Sequence, residues 1–269
     1  MNLKEKINEN NFSFKKKYGQ NFINDQNIIN SIIEKSQIEE DTLVIEVGPG
    51  AGSLTKKLGI VSKNVIAYEI DKTVEPILRE NIEDNTEIIY DDFLNRDVNS
   101  DIKKYNYKHL VFISNLPYYI TTPIIIKLIE ENIPVEKIVV MVQKEVGDRF
   151  KAKPKTKAYN SLSVYLNYYF DIKKLIDVSR NVFIPKPNVD SIVVLMERKK
   201  EKPYLKDEKV FFKLIRDSFT QKRKTIKNNL KGYDLEKIQK VLENYNLDLT
   251  VRAEALPIEI FVEIANAIT

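Results

Sequence analysis

Four consecutive residues, Asn115, Leu116, Pro117 and Tyr118, have types and an order that could bind a planar ring. They follow the apolar run 110–113, so an amide, a proline and an aromatic ring come where a buried strand would end. In open α/β sheets, ligands bind outside the carboxyl ends of the strands. The amide, the backbone carbonyls and the tyrosine face could therefore hold a ring that carries an amino group, such as a nucleobase. From these four residues alone, a strand that ends in a proline turn with a packed tyrosine is the simpler interpretation.

Glycines cluster at another strand end. The β-rich run 42–47 is followed by Gly48, Gly50 and Gly52, three of the seven glycines in the chain. Because glycine loses more conformational freedom on folding than other residues, this clustering indicates a tight turn or a close approach of the backbone to a ligand. A helix predicted over residues 53–58 completes the strand, turn and helix context that makes such a motif credible. The alternate spacing differs from G-x-G-x-x-G, which disfavours a dinucleotide oxidoreductase.

Acidic side chains follow the next two strands. The strand predicted over residues 64–71 contains Glu69, which lies 21 residues after the first glycine of the turn. An acid about 20 residues beyond such a turn is placed to bind the two hydroxyls of a ribose. Asp91 and Asp92 follow a third strand, residues 87–90, and one of them could accept a hydrogen bond from an adenine amino group. A solvated turn is the alternative for this pair of acids.

The composition excludes several kinds of chemistry. The 269 residues include no cysteine, which excludes disulfides, thiol nucleophiles and thiolate metal sites. The single histidine, His109, precedes an apolar strand, which suits a structural role, and no metal site is predicted. No apolar stretch approaches the roughly 20 residues that a membrane span needs. The polar N-terminus has no signal-peptide core, so we expect a cytoplasmic protein with no membrane partner.

Basic residues are concentrated towards the end of the chain. Between residues 199 and 231, 12 Lys and Arg stand against 4 Asp and Glu, whereas the whole chain has a net charge of +4. Such a cluster is typical of a surface that binds a polyanion, and we expect nucleic acid. Lysines also alternate with other residues over 151–157, where phosphate contacts and a solvated mobile loop both remain open.

The order of the predicted elements indicates two domains. Strands and helices alternate through the first three quarters of the chain, which predicts a mostly parallel, doubly wound sheet. After Pro203 only helical patterns follow. We therefore predict an α/β domain over residues 1–200, with residues 1–13 disordered, and an all-α domain over residues 201–269.

Two connections are predicted to lack regular structure. Residues 143–160 read as a long charged connection, because lysines and acids dominate them. Residues 182–187 contain two prolines and read as a stiffened loop that presents Phe183.

Taken in order, these motifs resemble the KsgA (RsmA) family of ribosomal RNA adenine N6-dimethyltransferases, from about residue 15 to the C-terminus. Residues 115–118, called the tetrad below, match the motifs of this family, and so do the glycine turn over residues 48–52, Glu69 and Asp92. Their joint order and spacing make the resemblance specific. Further matching segments are residues 19–22, 143–146, 183–191 and 219–230. Departures occur at Ile23, Tyr119, Asn160 and Asn188.

The resemblance implies a Rossmann-like S-adenosylmethionine-dependent methyltransferase sheet with a small all-α C-terminal domain. It implies that S-adenosyl-L-methionine is bound by Gln20, Asn21, Ile23, Gly48, Gly50, Glu69, Ile70, Asp92, Phe93 and Asn115. It implies that a flipped adenine is held by Asn115, Leu116, Pro117 and Tyr118 and covered on its other face by Phe183. The residues expected to contact RNA are Lys222, Arg223, Lys224 and Lys227.

The implied reaction is methyl transfer to the N6 atoms of two adjacent adenosines in the 3′-terminal hairpin loop of small-subunit ribosomal RNA. The implied partner is the immature small ribosomal subunit, bound by a monomer that serves subunit biogenesis. Two alternatives remain open: an Erm-type methyltransferase of large-subunit RNA that confers macrolide resistance, and a non-catalytic RNA-binding or assembly factor. Residues 143–146 and the helical C-terminal segment favour the small-subunit family, and the complete cofactor motifs disfavour a pure binder.

Overall fold

The computed structural model describes residues 12–15 and 18–269, and the statements below concern these residues. The predicted disorder of residues 1–13 therefore lies mostly outside the described residues. Phe12 is described, and its ring stacks on Phe22 with the centroids 5.7 Å apart. Residue 12 thus has a defined packing partner.

Strands and helices alternate up to residue 143, as the sequence predicts. Asp25 begins the first helix, because its carboxylate accepts hydrogen bonds from the backbone amides of Asn27 and Ile28. In chain order the elements are β1 Phe22–Ile23, α1 Gln26–Ser36, β2 Thr42–Val47, α2 Ser53–Val61, β3 Asn64–Tyr68, α3 Glu75–Arg79, β4 Thr86–Ile89, α4 Val98–Ile102, β5 His109–Asn115, α5 Thr121–Glu130 and β6 Lys137–Gln143.

The rest of the chain adds three strands and the remaining helices. None of the described helices is long and apolar enough to cross a membrane. The elements are α6 Lys144–Phe150, α7 Ser161–Tyr169, β7 Phe170–Val178, β8 Phe183–Ile184, β9 Ser191–Arg198, α8 Glu208–Ser218, α9 Ile226–Asn229, α10 Leu235–Glu243 and α11 Ile258–Ile268.

Helix α6 corrects the prediction that residues 143–160 lack regular structure. The side chain of Phe150 is fully buried, although charged residues surround it in the sequence. A Cβ atom on Gly147 would lie 2.3 Å from Cδ1 of Ile192, so the helix approaches β9 closely at this glycine. Helix α6 has few apolar residues, so its sequence shows no helical periodicity of apolar positions among the charged ones.

The strands form a seven-stranded sheet in the order β4-β3-β2-β5-β6-β9-β7. The first five strands of this order run parallel to their neighbours, and β9 pairs antiparallel with β6. The chain moves outward from β2 to β4, then returns to the other side of β2 as β5. The order therefore reverses between β2 and β5, and their carboxyl ends open a crevice of the kind that binds ligands in such sheets.

The described residues form two compact units, one of those within 12–147 together with 173–197 and one of 148–172 together with 198–269. The prediction placed a single boundary at residue 200 and therefore assigned 148–172 to the sheet domain. In the second unit, the ring of Tyr168 in α7 packs on Phe211 in α8, with the centroids 4.9 Å apart. This aromatic contact joins α7 to the C-terminal helices. No local sequence pattern in residues 148–172 predicts that they pack with these helices.

We expect Phe112→Ala to lower the free energy of unfolding by about 3–5 kcal/mol, because it removes a large side chain from a packed core. Phe112 is fully buried in β5, at the centre of the sheet. Urea denaturation measures the change. The control is Ile60→Ala, since the Ile60 side chain is 59% exposed and its loss should cost less than about 0.5 kcal/mol. Equal losses in the two variants would contradict the assigned core.

Candidate active site

A pocket opens at the carboxyl ends of β2, β3, β4 and β5. Each of these strands ends in one of the motifs that the sequence singled out, and the segment that contains β1 supplies a further wall. The pocket is lined by residues 18–23, 46–51, 53–54, 68–70, 91–94 and 115–120. All ten residues predicted to bind the cofactor, and the whole tetrad, lie among them. Their roles stay predictions, but the fold brings them together around one cavity.

The turn after β2 requires its glycines. Gly48, Gly50 and Gly52 have φ angles of 72°, 56° and 79°, in the left-handed region that glycine adopts without strain. A Cβ atom on Gly50 would also lie 2.5 Å from Cε1 of Phe22. Backbone conformation and close packing therefore both explain the clustering of glycine in this turn.

Glu69 is held in the pocket wall by backbone groups. The side chain is 5% exposed, and its two oxygens accept hydrogen bonds from the amides of Gly50 at 3.2 Å and Asp71 at 2.8 Å. Burial raises the pKa of the carboxyl group, although these backbone donors oppose the shift. Glu69 is thus anchored at the end of β3, beside the glycine turn.

Asp92 has a comparable local anchor at the end of β4. Its carboxylate accepts from the amide of Leu94 at 2.9 Å and from Nδ2 of Asn95 at 3.2 Å. The next side chain, Phe93, is buried and packs edge-on against Tyr68, with the centroids 5.1 Å apart. An acid and an aromatic ring therefore stand side by side in this wall.

The tetrad presents two acceptors that no donor of the described residues occupies. Nδ2 of Asn115 donates to the carbonyl of Asn21 at 2.9 Å, which fixes the amide and leaves Oδ1 without a donor. The carbonyl of Pro117 accepts from the amide of Ile120 and the hydroxyl of Thr121, both at 3.2 Å. The carbonyl of Leu116 accepts none of the hydrogen bonds within the described chain. Oδ1 of Asn115 and the Leu116 carbonyl are therefore two acceptors available to a ligand.

The ring of Tyr118 is held in place by a residue of β9. Its hydroxyl lies 2.9 Å from Oγ of Ser191, the first residue of β9, and Ser191 is buried. This contact fixes the ring that the sequence predicts to stack on a base.

Phe183 does not line the pocket. The prediction that its loop presents the ring is wrong, because Phe183 is 3% exposed and pairs through β8 with Ile23 of β1. Its side chain belongs to an apolar cluster with Ile23, Val178 and Val193. The prolines predicted a loop, but residues 183 and 184 form β8, and proline content could not reveal which side of this segment faces the core.

Glu46 and Tyr119 are among the pocket residues that the sequence analysis did not propose for the site. Glu46 is 1% exposed in β2, and its Oε2 has no hydrogen-bond partner among the described residues. Its place inside an otherwise apolar strand was the available signal. Tyr119 is 54% exposed, and a Cβ atom on Gly19 would lie 3.3 Å from its ring. Nothing in the sequence places Tyr119 against Gly19, which is 100 residues away.

The predicted RNA-contacting residues lie in the second unit. Lys222, Arg223, Lys224 and Lys227 are all exposed. Nζ of Lys222 donates to the carbonyl of Lys157 at 2.8 Å. The lysine-bearing loop over 151–157 thereby contacts the basic segment.

Glu46 should make stability depend on pH. Burial, and to a smaller extent the nearby charge of Glu69, raise the pKa of Glu46 to about 8. Between about pH 5 and 8 the folded chain keeps a proton that the unfolded chain has released, so the free energy of unfolding falls as pH rises. The slope contributed by one such group is at most about 1.4 kcal/mol per pH unit.

We therefore expect Glu46→Gln to flatten this pH dependence and to stabilise the protein at pH 8 relative to the parent chain. Urea denaturation at several pH values measures the slope. Glu69 leaves a remaining slope, because burial raises its pKa as well. Glu34→Gln, at an exposed position of α1, serves as the control. A slope that Glu46→Gln leaves unchanged would show that Glu46 is ionised in the folded protein.

Comparisons with known proteins agree with this arrangement. The family model for "Ribosomal RNA adenine dimethylase" matches residues 11–269. The "Ribosomal RNA small subunit methyltransferase A" of Clostridioides difficile (strain 630) is 44% identical over 98% of this chain and 94% of its own length. A dimethyladenosine transferase from Plasmodium falciparum has a crystal structure with a TM-score of 0.76 and 25% identity, covering 90% of this chain and 95% of that chain.

The structure of the 23S rRNA methyltransferase ErmE is also similar. It has a TM-score of 0.68 and 24% identity, and the match covers 92% of this chain and 99% of that chain. This likeness shows a shared fold, which is the expected α/β methyltransferase architecture. The family match spans both units of the chain, and it agrees with the resemblance seen in the motifs: the chain belongs to the ribosomal RNA adenine dimethylase family.

Proposed function

We propose that this protein transfers methyl groups from S-adenosylmethionine to the N6 atoms of two adjacent adenosines in the 3′-terminal hairpin loop of small-subunit ribosomal RNA. The observation that carries the proposal is the pair of unoccupied acceptors, Oδ1 of Asn115 and the Leu116 carbonyl, in the wall of the pocket that also contains Glu69. A role in the biogenesis of the small subunit, in the cytoplasm, follows from this substrate.

The pocket fits S-adenosylmethionine by the chemistry of its walls. Glu69 and Asp92 are acceptors that suit ribose hydroxyls and an adenine amino group, and the exposed Ile70 and buried Phe93 offer apolar surface beside them. The glycine turn lacks the lysine of a phosphate-binding loop, in keeping with a cofactor that has no phosphates. A positively charged ligand would interact favourably with the buried Glu69, and it would lower the raised pKa of Glu46 beside it. When bound, the cofactor would supply an electrophilic methyl group on a sulfonium centre.

The acceptors of the tetrad explain how the chain would activate an adenine amino group. The lone pair of this nitrogen is delocalised into the ring, so the nitrogen is a weak nucleophile. Hydrogen bonds from its two hydrogens to Oδ1 of Asn115 and to the Leu116 carbonyl would favour a pyramidal, more nucleophilic nitrogen. Pro117 is the weaker candidate for the second bond, because its carbonyl already accepts two hydrogen bonds.

Positioning would supply most of the rate enhancement. Well-oriented reactants can gain roughly 7–11 kcal/mol relative to reactants free in solution. The base must leave its stack to reach the tetrad, as loops of RNA permit. Tyr118, fixed by Ser191, would offer a stacking face worth about 1–3 kcal/mol. The buried Phe183 would have to leave the apolar cluster to cover the other face of the base.

The relatives favour small-subunit RNA over the Erm-type alternative. The chain is 44% identical to a protein called a small subunit methyltransferase, and its likeness to ErmE is one of fold. The test is transfer of labelled methyl groups to unmethylated small and large ribosomal subunits, with the modified base identified. Label in N6-methylated adenosines of the small subunit is expected. Label confined to the large subunit, or absent from both, would overturn the proposal.

Asn115→Ala should lower the rate of methyl transfer by roughly 100-fold or more, since misplacement of a reacting group by about 1 Å already costs this much. The measurement is single-turnover methylation of small subunits at saturating cofactor, with the thermal midpoint recorded for each variant. Asn27→Ala, at an exposed position of α1, is the control and should keep the parent rate. Parent-like turnover in Asn115→Ala would remove this residue from the mechanism.

Replacing Lys222, Arg223 and Lys224 together by Gln should weaken RNA binding most at low salt. If all three contact phosphates, the slope of log affinity against log salt should fall by about 2–3. Filter binding over a range of salt concentrations measures it. The control replaces the exposed Lys35, Lys56 and Lys103 by Gln, which makes the same change in net charge elsewhere. An equal effect in both triple variants would show that net charge alone attracts the RNA.

A further inference from the structure

The segment that precedes β2 carries one wall of the pocket. We call residues 12–15 and 18–23 the N-terminal strap. Its residues 18–23 line the cavity, and its last two form β1, which pairs with β8. At the other end, Phe12 and Phe14 pack on Phe22, with ring centroids 5.7 and 5.1 Å apart. The first residues of the strap thus fold back onto Phe22 near its end, and the position of this pocket wall depends on what holds the strap.

Asp71 holds the strap through two side chains. Nζ of Lys15 lies 2.6 Å from Oδ1 of Asp71, and Nε2 of Gln20 donates to Oδ2 at 2.8 Å. Lys15 and Gln20 also contact each other, because the amide of Lys15 donates to Oε1 of Gln20 at 2.8 Å. Both polar ends of the Gln20 side chain are therefore used within the strap and its attachment.

The chemistry of Asp71 makes this attachment strong. The carboxylate is only 2% exposed, so burial by itself would raise its pKa. Hydrogen bonds from Lys15, Thr73 and Gln20 outweigh the burial and lower the pKa, which keeps the group ionised. Hydrogen bonds between charged groups are about twice as strong as neutral ones. Removal of Lys15 would leave a buried charge without its cationic partner.

The strap and its attachment residue Asp71 also form hydrogen bonds with Asn115 and Glu69, the two residues on which the proposed chemistry depends. The carbonyl of Asn21 accepts from Nδ2 of Asn115, and this bond orients the amide so that Oδ1 remains available. The amide of Asp71 donates to Oε1 of Glu69. One buried residue is therefore linked to the acceptor for the amino group and to the acid expected to bind the ribose.

We propose that Asp71 is a positioning residue that latches the N-terminal strap through Lys15 and Gln20, and that this latch sets both the cofactor affinity and the orientation of Asn115. The inference rests on the proposed function. It gives Gln20 a different role from the cofactor contact that the resemblance implies, because its amide acts on Lys15 and Asp71.

The test compares Lys15→Met with Lys15→Arg and with a matched control. Lys15→Met should raise the dissociation constant for S-adenosylmethionine, measured by calorimetry, about tenfold, the loss expected for one charge-assisted hydrogen bond. Lys15→Arg should recover most of the affinity, because it keeps the charge. Lys63→Met breaks a partly exposed ion pair with Asp41 and should bind the cofactor like the parent chain. Single-turnover methyl transfer at saturating cofactor should also fall in Lys15→Met, since the latch orients Asn115.

Hydrogen exchange of residues 18–23, measured without cofactor, reports on the latch directly and should quicken in Lys15→Met but not in Lys63→Met. Gln20→Met removes the neutral donor to Asp71 and the acceptor of the Lys15 amide but leaves the ion pair, so it should shift exchange and affinity in the same direction by less. It replaces Lys15→Met if that variant fails to fold. Affinity and exchange in Lys15→Met and Gln20→Met that equal those of Lys63→Met would overturn the latch. A parent chain that binds no S-adenosylmethionine would instead overturn the proposed function, and the exchange measurement would still test the latch.

Discussion

The parallel pairing of β2 with β5 fixes where a ligand can bind in this protein. These two strands are neighbours in the sheet although 61 residues lie between the end of β2 and the start of β5 in the chain. The strand order reverses between them. The hydroxyl of Ser114 donates to the carbonyl of Val47 at 2.5 Å, which ties the two strand ends together. The glycine turn after β2 and the tetrad after β5 are consequently the two sides of one crevice. A shift in the register of either strand would separate them.

Buried acids give this crevice its electrostatic character. Glu46, Glu69 and Asp71 are each at most 5% exposed, and they lie at the ends of two adjacent strands. Desolvation is costly for each carboxylate, and the chain offsets it differently in each case. Asp71 has a lysine, Glu69 has two backbone amides, and Glu46 keeps an oxygen without a donor. Burial raises the pKa of Glu46, whereas a cationic ligand beside it would lower that pKa and favour the ionised carboxylate, in agreement with the proposed sulfonium cofactor.

Much of the site could be predicted because its residues sit in short local motifs. The glycine turn is visible in the sequence since positive φ angles demand glycine at several neighbouring positions. Glu69 and Asp92 are visible because parallel strands are apolar and a charge marks where each one ends. Phe183 shows the limit of such reasoning. Its loop was recognised, but the burial of its ring depends on packing against β1, which comes 160 residues earlier.

The sequence by itself determined the α/β class, the strand ends that carry the chemistry, and the family, because these depend on patterns a few residues long. The tertiary structure alone decided which groups act on one another. The pairing of Lys15 with Asp71, the bond from Asn115 to the carbonyl of Asn21, and the assignment of residues 148–172 to the helical unit are examples. Each depends on contacts between side chains or backbone groups far apart in the chain. Such contacts leave no periodicity in the sequence, since only the folded sheet brings their partners together.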